Sequence, residues 1–142
     1  MDIGIPIRDL GEIDISPLKE AILAVDDDAW LQNSHRQTTY DVHDQTQSLV
    51  MLFIDTEQWP KLEVTKDTAW ALLSKTATPI IDSILSQFYP PGGTVVRAMA
   101  AKLVSGGVIT PHFDKHPSFH AGHRIHIPIT TNSRVRFMID GR

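Results

Sequence analysis

The 142-residue chain contains no cysteine. That absence excludes disulfides, thiolate zinc sites and cysteine nucleophiles, and it leaves only nitrogen and oxygen donors for any metal. Long apolar runs are missing as well, since nothing approaches the roughly 20 residues that a membrane-crossing helix needs. Basic residues are few and scattered. Thirteen Lys and Arg stand against seventeen Asp and Glu, for a formal net charge of -4, and no basic stripe is present that would follow a phosphate backbone. Neither nucleic acid nor a membrane is an expected partner. The first residues, "MDIGIPIRDLGEIDIS", carry acids where a secretory signal needs a basic region. Together with the lack of cysteine, this gives a cytoplasmic expectation. P-loop and dinucleotide fingerprints are absent, and no residue stands out as a catalytic nucleophile.

What remains is an ordinary globular composition, 42% apolar and 21% charged, at a length that suits one domain over residues 1–142. "ISPLKEAILAV" predicts a short amphipathic helix, with Ser16 as N-cap, Pro17 at the first helical position, and Leu18, Ile22 and Val25 at helical spacing. "TQSLVMLFID", residues 46–55, is a compact apolar run that predicts a buried strand. "VTKDTAWALLSKTATPIIDSILSQFYPPGG" reads as two helical pieces, the second starting at Thr78 and Pro79 and ending at the Pro-Pro-Gly-Gly run. Beyond it, "TVVRAMAAKLV", "VITPHFD", "RIHIPIT" and "RVRFMID" predict four strands, the first two joined by a hairpin at Gly106 and Gly107. The expected class is α+β and mainly β, with a helical flank over about residues 1–92 and strands over about 93–142. Its β part fits a sandwich or a jelly roll.

Five of the seven histidines fall within residues 110–130. On a strand, His112 and Asp114 share one face while Phe113 takes the other, so the pair is preassembled. Imidazole nitrogen with carboxylate oxygen suits Fe(II), Zn or Mn, and two His plus one carboxylate make the facial triad that leaves positions open for substrate and oxygen. By the same parity Arg124, His126 and Pro128 face away from Ile125, Ile127 and Ile129. The isoleucine row reads as core. The opposite row reads either as a pocket wall for a dicarboxylate, which guanidinium binds bidentately, or as a solvated face, and parity leaves both open. His116, His120 and His123 lie in a Pro- and Gly-containing loop and are expected outside the metal shell. His112, His116 and His120 are four apart and would form a zinc face on a helix, but Pro117 opposes that helix.

These residues resemble the aspartyl/asparaginyl β-hydroxylase family of Fe(II)- and 2-oxoglutarate-dependent oxygenases. The likeness runs from "GGTVVRAMAAKLVSGGVITPHFD" through "HRIHIPITTNSRVRF", about a third of the chain, with a looser match in "HRQTTYDVHDQTQSLVMLFID". Its pattern is a Gly turn, then His-x-Asp, then Arg-x-His-x-Pro, here Gly106-Gly107, His112-Phe113-Asp114 and Arg124 to Pro128. The resemblance implies a double-stranded β-helix (a cupin-like jelly roll) with flanking N-terminal helices. It implies His112 and Asp114 as iron ligands, Arg124 and His126 beside 2-oxoglutarate, and oxidative decarboxylation of that co-substrate coupled to hydroxylation of an unactivated C–H bond. Arg97, Arg36 and His43 are the residues expected to face a small-molecule or peptide substrate. A family position often held by Ser falls at about Ala101. The family's second iron His and its distal Arg come tens of residues after Arg-x-His, past Arg142, so the expectation is a C-terminally incomplete jelly roll. The competing expectations are a loop histidine acting as third ligand, a non-catalytic cupin-type binding module, or an inactive fragment of a longer oxygenase.

Overall fold

In the computed structural model of the chain, residues 4–32, 45–139 and 141 are described. Helix α1 (Ser16–Leu23) buries Leu18 and Ile22 on one face, as the spacing predicts. Ser16 is its first helical residue rather than its cap. Its backbone N–H and its hydroxyl both donate to Asp14 Oδ1, at 2.9 and 2.7 Å. Those two bonds hold the Asp14 carboxyl below its usual range. Helix α2 (Asp27–Gln32) follows, with Asp26 Oδ1 accepting the Ala29 N–H at 2.8 Å in the manner of a cap.

Strand β1 (Thr46–Ile54) is the apolar run read as buried, and it is the middle strand of an antiparallel sheet in the order β2-β1-β3. Its neighbours are β2 (Val64–Lys66) and β3 (Arg97–Leu103). Leu49 and Met51 of β1 join the helical core, while Val50 between them is buried outside that cluster. A register shift between Val50 and Leu52 marks a bulge against β3. Val64–Lys66 was expected to begin a helix. It forms a strand because Leu52, Phe53 and Ile54 offer it a ladder that a three-residue segment accepts at little entropic cost.

Helix α3 (Ala69–Phe88) is continuous through Pro79, where the sequence reads as two pieces. Proline costs the helix one N–H donor. The continuous stripe Ala69, Leu73, Ala77, Ile80 and Ile84 offsets that cost by burying one face along the whole length, with Leu73 fully enclosed. Leu18, Ile22, Trp30, Leu49 and Met51 complete the core.

After β3 the structure departs from the expected series of strands. Gly106 turns the chain with φ of 78°, and the Gly107 N–H donates to Val104 O at 2.9 Å, so the glycine turn forms. The second arm of the hairpin does not pair. Residues 108–114, 124–130 and 134–139 are not strands, and the only regular element between β3 and residue 139 is the short helix α4 (Ser118–Ala121). Alternation fixes which face a side chain takes, but a strand also needs a partner for its N–H and C=O groups, and among the described residues none lies along the outer edge of β3. Helical residues outnumber strand residues among those described, so the molecule is α+β with a small sheet rather than mainly β. No helix among the described residues is long and apolar enough to cross a membrane.

Candidate functional site

The two motifs meet. An Arg124 guanidinium N–H (Nη2) donates to Asp114 Oδ2 across a separation of ten residues, in an ion pair. This contact brings His-x-Asp and Arg-x-His to one place without strand pairing. Arg124 acts on its own neighbour as well. His126 is exposed as a residue, but partial desolvation of its ring and, after it, the Arg124 charge hold it below the usual imidazole range, which favours the neutral form near pH 7. The Phe137 ring, 4.5 Å from His126 between centroids, supplies part of that cover. Ile127 and Ile129 pack against the core as the apolar row predicts, whereas Ile125, the first of that row, is exposed.

His112 is exposed, and its Nδ1 lies 2.8 Å from Thr110 O. A carbonyl only accepts, so in the neutral ring Nδ1 carries the hydrogen and Nε2 carries the lone pair. That is the tautomer of a ligand histidine oriented by a backbone carbonyl. The donor types of His112 and Asp114 therefore suit a divalent metal. Their number does not complete a shell: no three His, Asp or Glu side chains converge on a metal position among the described residues. Asp114, moreover, is committed to Arg124.

Two of the loop histidines, His116 and His123, bond groups distant in sequence. His116 Nε2–H donates to Thr56 O at 3.3 Å and Nδ1 lies 2.8 Å from the buried Ser118 hydroxyl, while the ring meets Trp59 edge-on at 5.9 Å. His123 Nδ1 bonds the Tyr89 hydroxyl at 3.0 Å, and its buried Nε2 has no hydrogen-bond partner among the described residues. His120 is exposed in α4, whose four residues do not extend back to His112, so no helical zinc face forms.

Arg97, expected near substrate, lies on β3 directly across from Phe53 of β1. Its guanidinium sits 5.1 Å from the Phe53 ring and 4.2 Å from the Phe119 ring. Arg124 lies over the same Phe119 ring at 5.0 Å. An aromatic and guanidinium stack thus runs from the centre of the sheet to the motif arginine. Phe119 carries no periodic or spacing signal in the sequence, and "SFH" between a proline and a glycine gives no hint that its ring joins two arginines. Arg36 and His43 lie outside the described residues. A cleft of about 670 Å3 between α1, α2, β1 and the start of α3 includes none of the candidate residues. No family model, curated protein or solved structure matches the chain.

Proposed function

We propose that the chain is an Fe(II)- and 2-oxoglutarate-dependent oxygenase domain that hydroxylates an unactivated C–H bond of an aspartyl, asparaginyl or other amino-acid-like substrate in the cytoplasm. The observation that carries this reading is the contact of Arg124 with Asp114. It joins a carboxylate of ligand type to a guanidinium of carboxylate-binding type, with His112 in the ligand tautomer on one motif and a neutral His126 on the other. His112 and Asp114 are the residues to hold the metal, and Arg124 with His126 the residues to hold the co-substrate. Bound Fe(II) with 2-oxoglutarate supplies oxidising chemistry that no side chain here provides. The part of the chain is to bind and orient: guanidinium pairs with carboxylate bidentately, and a neutral imidazole adds one hydrogen bond without a competing charge. A double-stranded β-helix belongs to the same proposal, supported by the antiparallel pairing of β1 with β3 immediately before the motifs.

The commitment of Asp114 to Arg124 favours a second reading, a cupin-type module that binds a ligand without turnover. Co-substrate consumption separates the two. An oxygenase with Fe(II) converts 2-oxoglutarate and O2 to succinate and CO2, one oxygen atom entering succinate and the other the hydroxylated product in equal stoichiometry. A folded chain that binds 2-oxoglutarate and forms no succinate over many equivalents of O2 is a binding module.

A further inference from the structure

Phe119 stands where two guanidiniums meet, and its own backbone is fixed. Its N–H donates to His116 O at 3.0 Å, and His116 in turn is tied through Nε2–H to Thr56 O, just beyond β1. On one side the ring faces Arg97, which Phe53 of the central strand also covers. Arg124 rests over the same ring. The ring is therefore held from its own loop, through His116, and from the sheet, through Arg97.

The two contacts of Arg124 differ in what they consume. Its ion pair with Asp114 uses an Nη2–H donor in the guanidinium plane, the kind of donor that a ligand carboxylate requires. Its contact with Phe119 sets the guanidinium carbon 5.0 Å over the ring, an attraction of charge to ring that requires none of those N–H donors. When Asp114 serves as a ligand elsewhere or a carboxylate displaces it, the ion pair is lost and the aromatic contact remains. We propose that Phe119 is a positioning residue whose ring, braced by Arg97 and Phe53, seats the Arg124 guanidinium for carboxylate binding. The proposal rests on the reading of Arg124 as a 2-oxoglutarate-binding group.

The test compares the full chain with Phe119→Leu, which keeps apolar volume and removes the ring, and with Phe119→Tyr, which restores the ring. Folding of each variant is checked by the amide spectrum of the sheet and α3. Two quantities are read: the 2-oxoglutarate dissociation constant with Mn(II) by calorimetry, and the Arg124 Nε–Hε resonance, assigned by its loss in Arg124→Lys. The expected result is a ring-current shift of that resonance in the parent and in Phe119→Tyr, lost in Phe119→Leu. Affinity should fall roughly threefold to thirtyfold in Phe119→Leu and recover to within about twofold in Phe119→Tyr. An unshifted Arg124 resonance in the parent overturns the seat whatever the affinity. Parent-like affinity in Phe119→Leu after its resonance has moved overturns the positioning role. A parent chain with a shifted resonance and no 2-oxoglutarate binding overturns the functional reading, and with it the carboxylate role, while leaving the ring contact itself established.

Discussion

Arg124 and Asp114 have side chains 52% and 28% exposed, so their ion pair is a poor source of stability even though it organises the site. Exposed pairs contribute between nothing and about 1 kcal/mol because water screens them and two side chains must be ordered. Arg124→Ala should therefore lower unfolding free energy in urea by less than about 1 kcal/mol and yet weaken 2-oxoglutarate binding more than tenfold, as expected for loss of a charge-assisted bidentate contact. A loss of several kcal/mol with affinity intact would make the pair structural. His126 gives a signed pH dependence. Its folded pKa is lowered by burial and by Arg124, so the unfolded chain binds its proton more readily. The stability it contributes is present above its unfolded value of about 6.5 and is lost as pH falls through its folded value. Tm should drop on acidification from neutral pH, with a shallower slope in His126→Gln; an unchanged slope would remove His126 as a source. Both motif pairs were legible in the sequence because their members sit two residues apart. His116, His123 and Phe119 were not. Their partners Thr56 and Tyr89 lie 60 and 34 residues away, and Arg97 reaches Phe119 only through the sheet.

Strand β1 and helix α3 form the stable part of the fold, and the motif-bearing segments attach to it by isolated contacts. The β1 and β3 strands share a ladder from Thr46 with Leu103 to Phe53 with Arg97, whereas residues 108–114 and 124–139 have no ladder. Phe113, 93% exposed, marks the difference: its predicted position opposite His112 on a strand would give it a packing face, and here it has none. Hydrogen exchange should show slow amides in β1 and the middle of α3 and fast exchange over residues 108–114 and 134–139. Protection of residues 108–114 comparable to β1 would mean that these segments pair in solution and that the jelly-roll pattern forms. Elements set by local pattern were legible: α1 from its apolar spacing, β1 from its compact run, β3 from its position before the glycine turn. The unbroken course of α3 was not, since the local signal at Thr78 and Pro79 predicts a start and only tertiary burial of Ala77, Ile80 and Ile84 carries the helix across.

With no cysteine, a net charge of -4 and no helix among the described residues fit to cross a membrane, the chain's composition excludes chemistry more firmly than it assigns it. The proposed function rests on one place, where Asp114 of His-x-Asp pairs with Arg124 of Arg-x-His, whose guanidinium lies over Phe119. The α+β class follows from the order of patterns along the chain. The extent of β structure did not, because strand alternation is a property of a segment and pairing is a property of two. The most direct test of the central claim is an anaerobic titration of Fe(II) into the purified chain with 2-oxoglutarate present, followed in the visible range beside His112→Ala. The expected result is a weak charge-transfer band of an Fe(II)–oxoacid chelate that saturates with one iron per chain and is absent in His112→Ala. A folded chain that gives no band, or one whose band survives in His112→Ala, contradicts it.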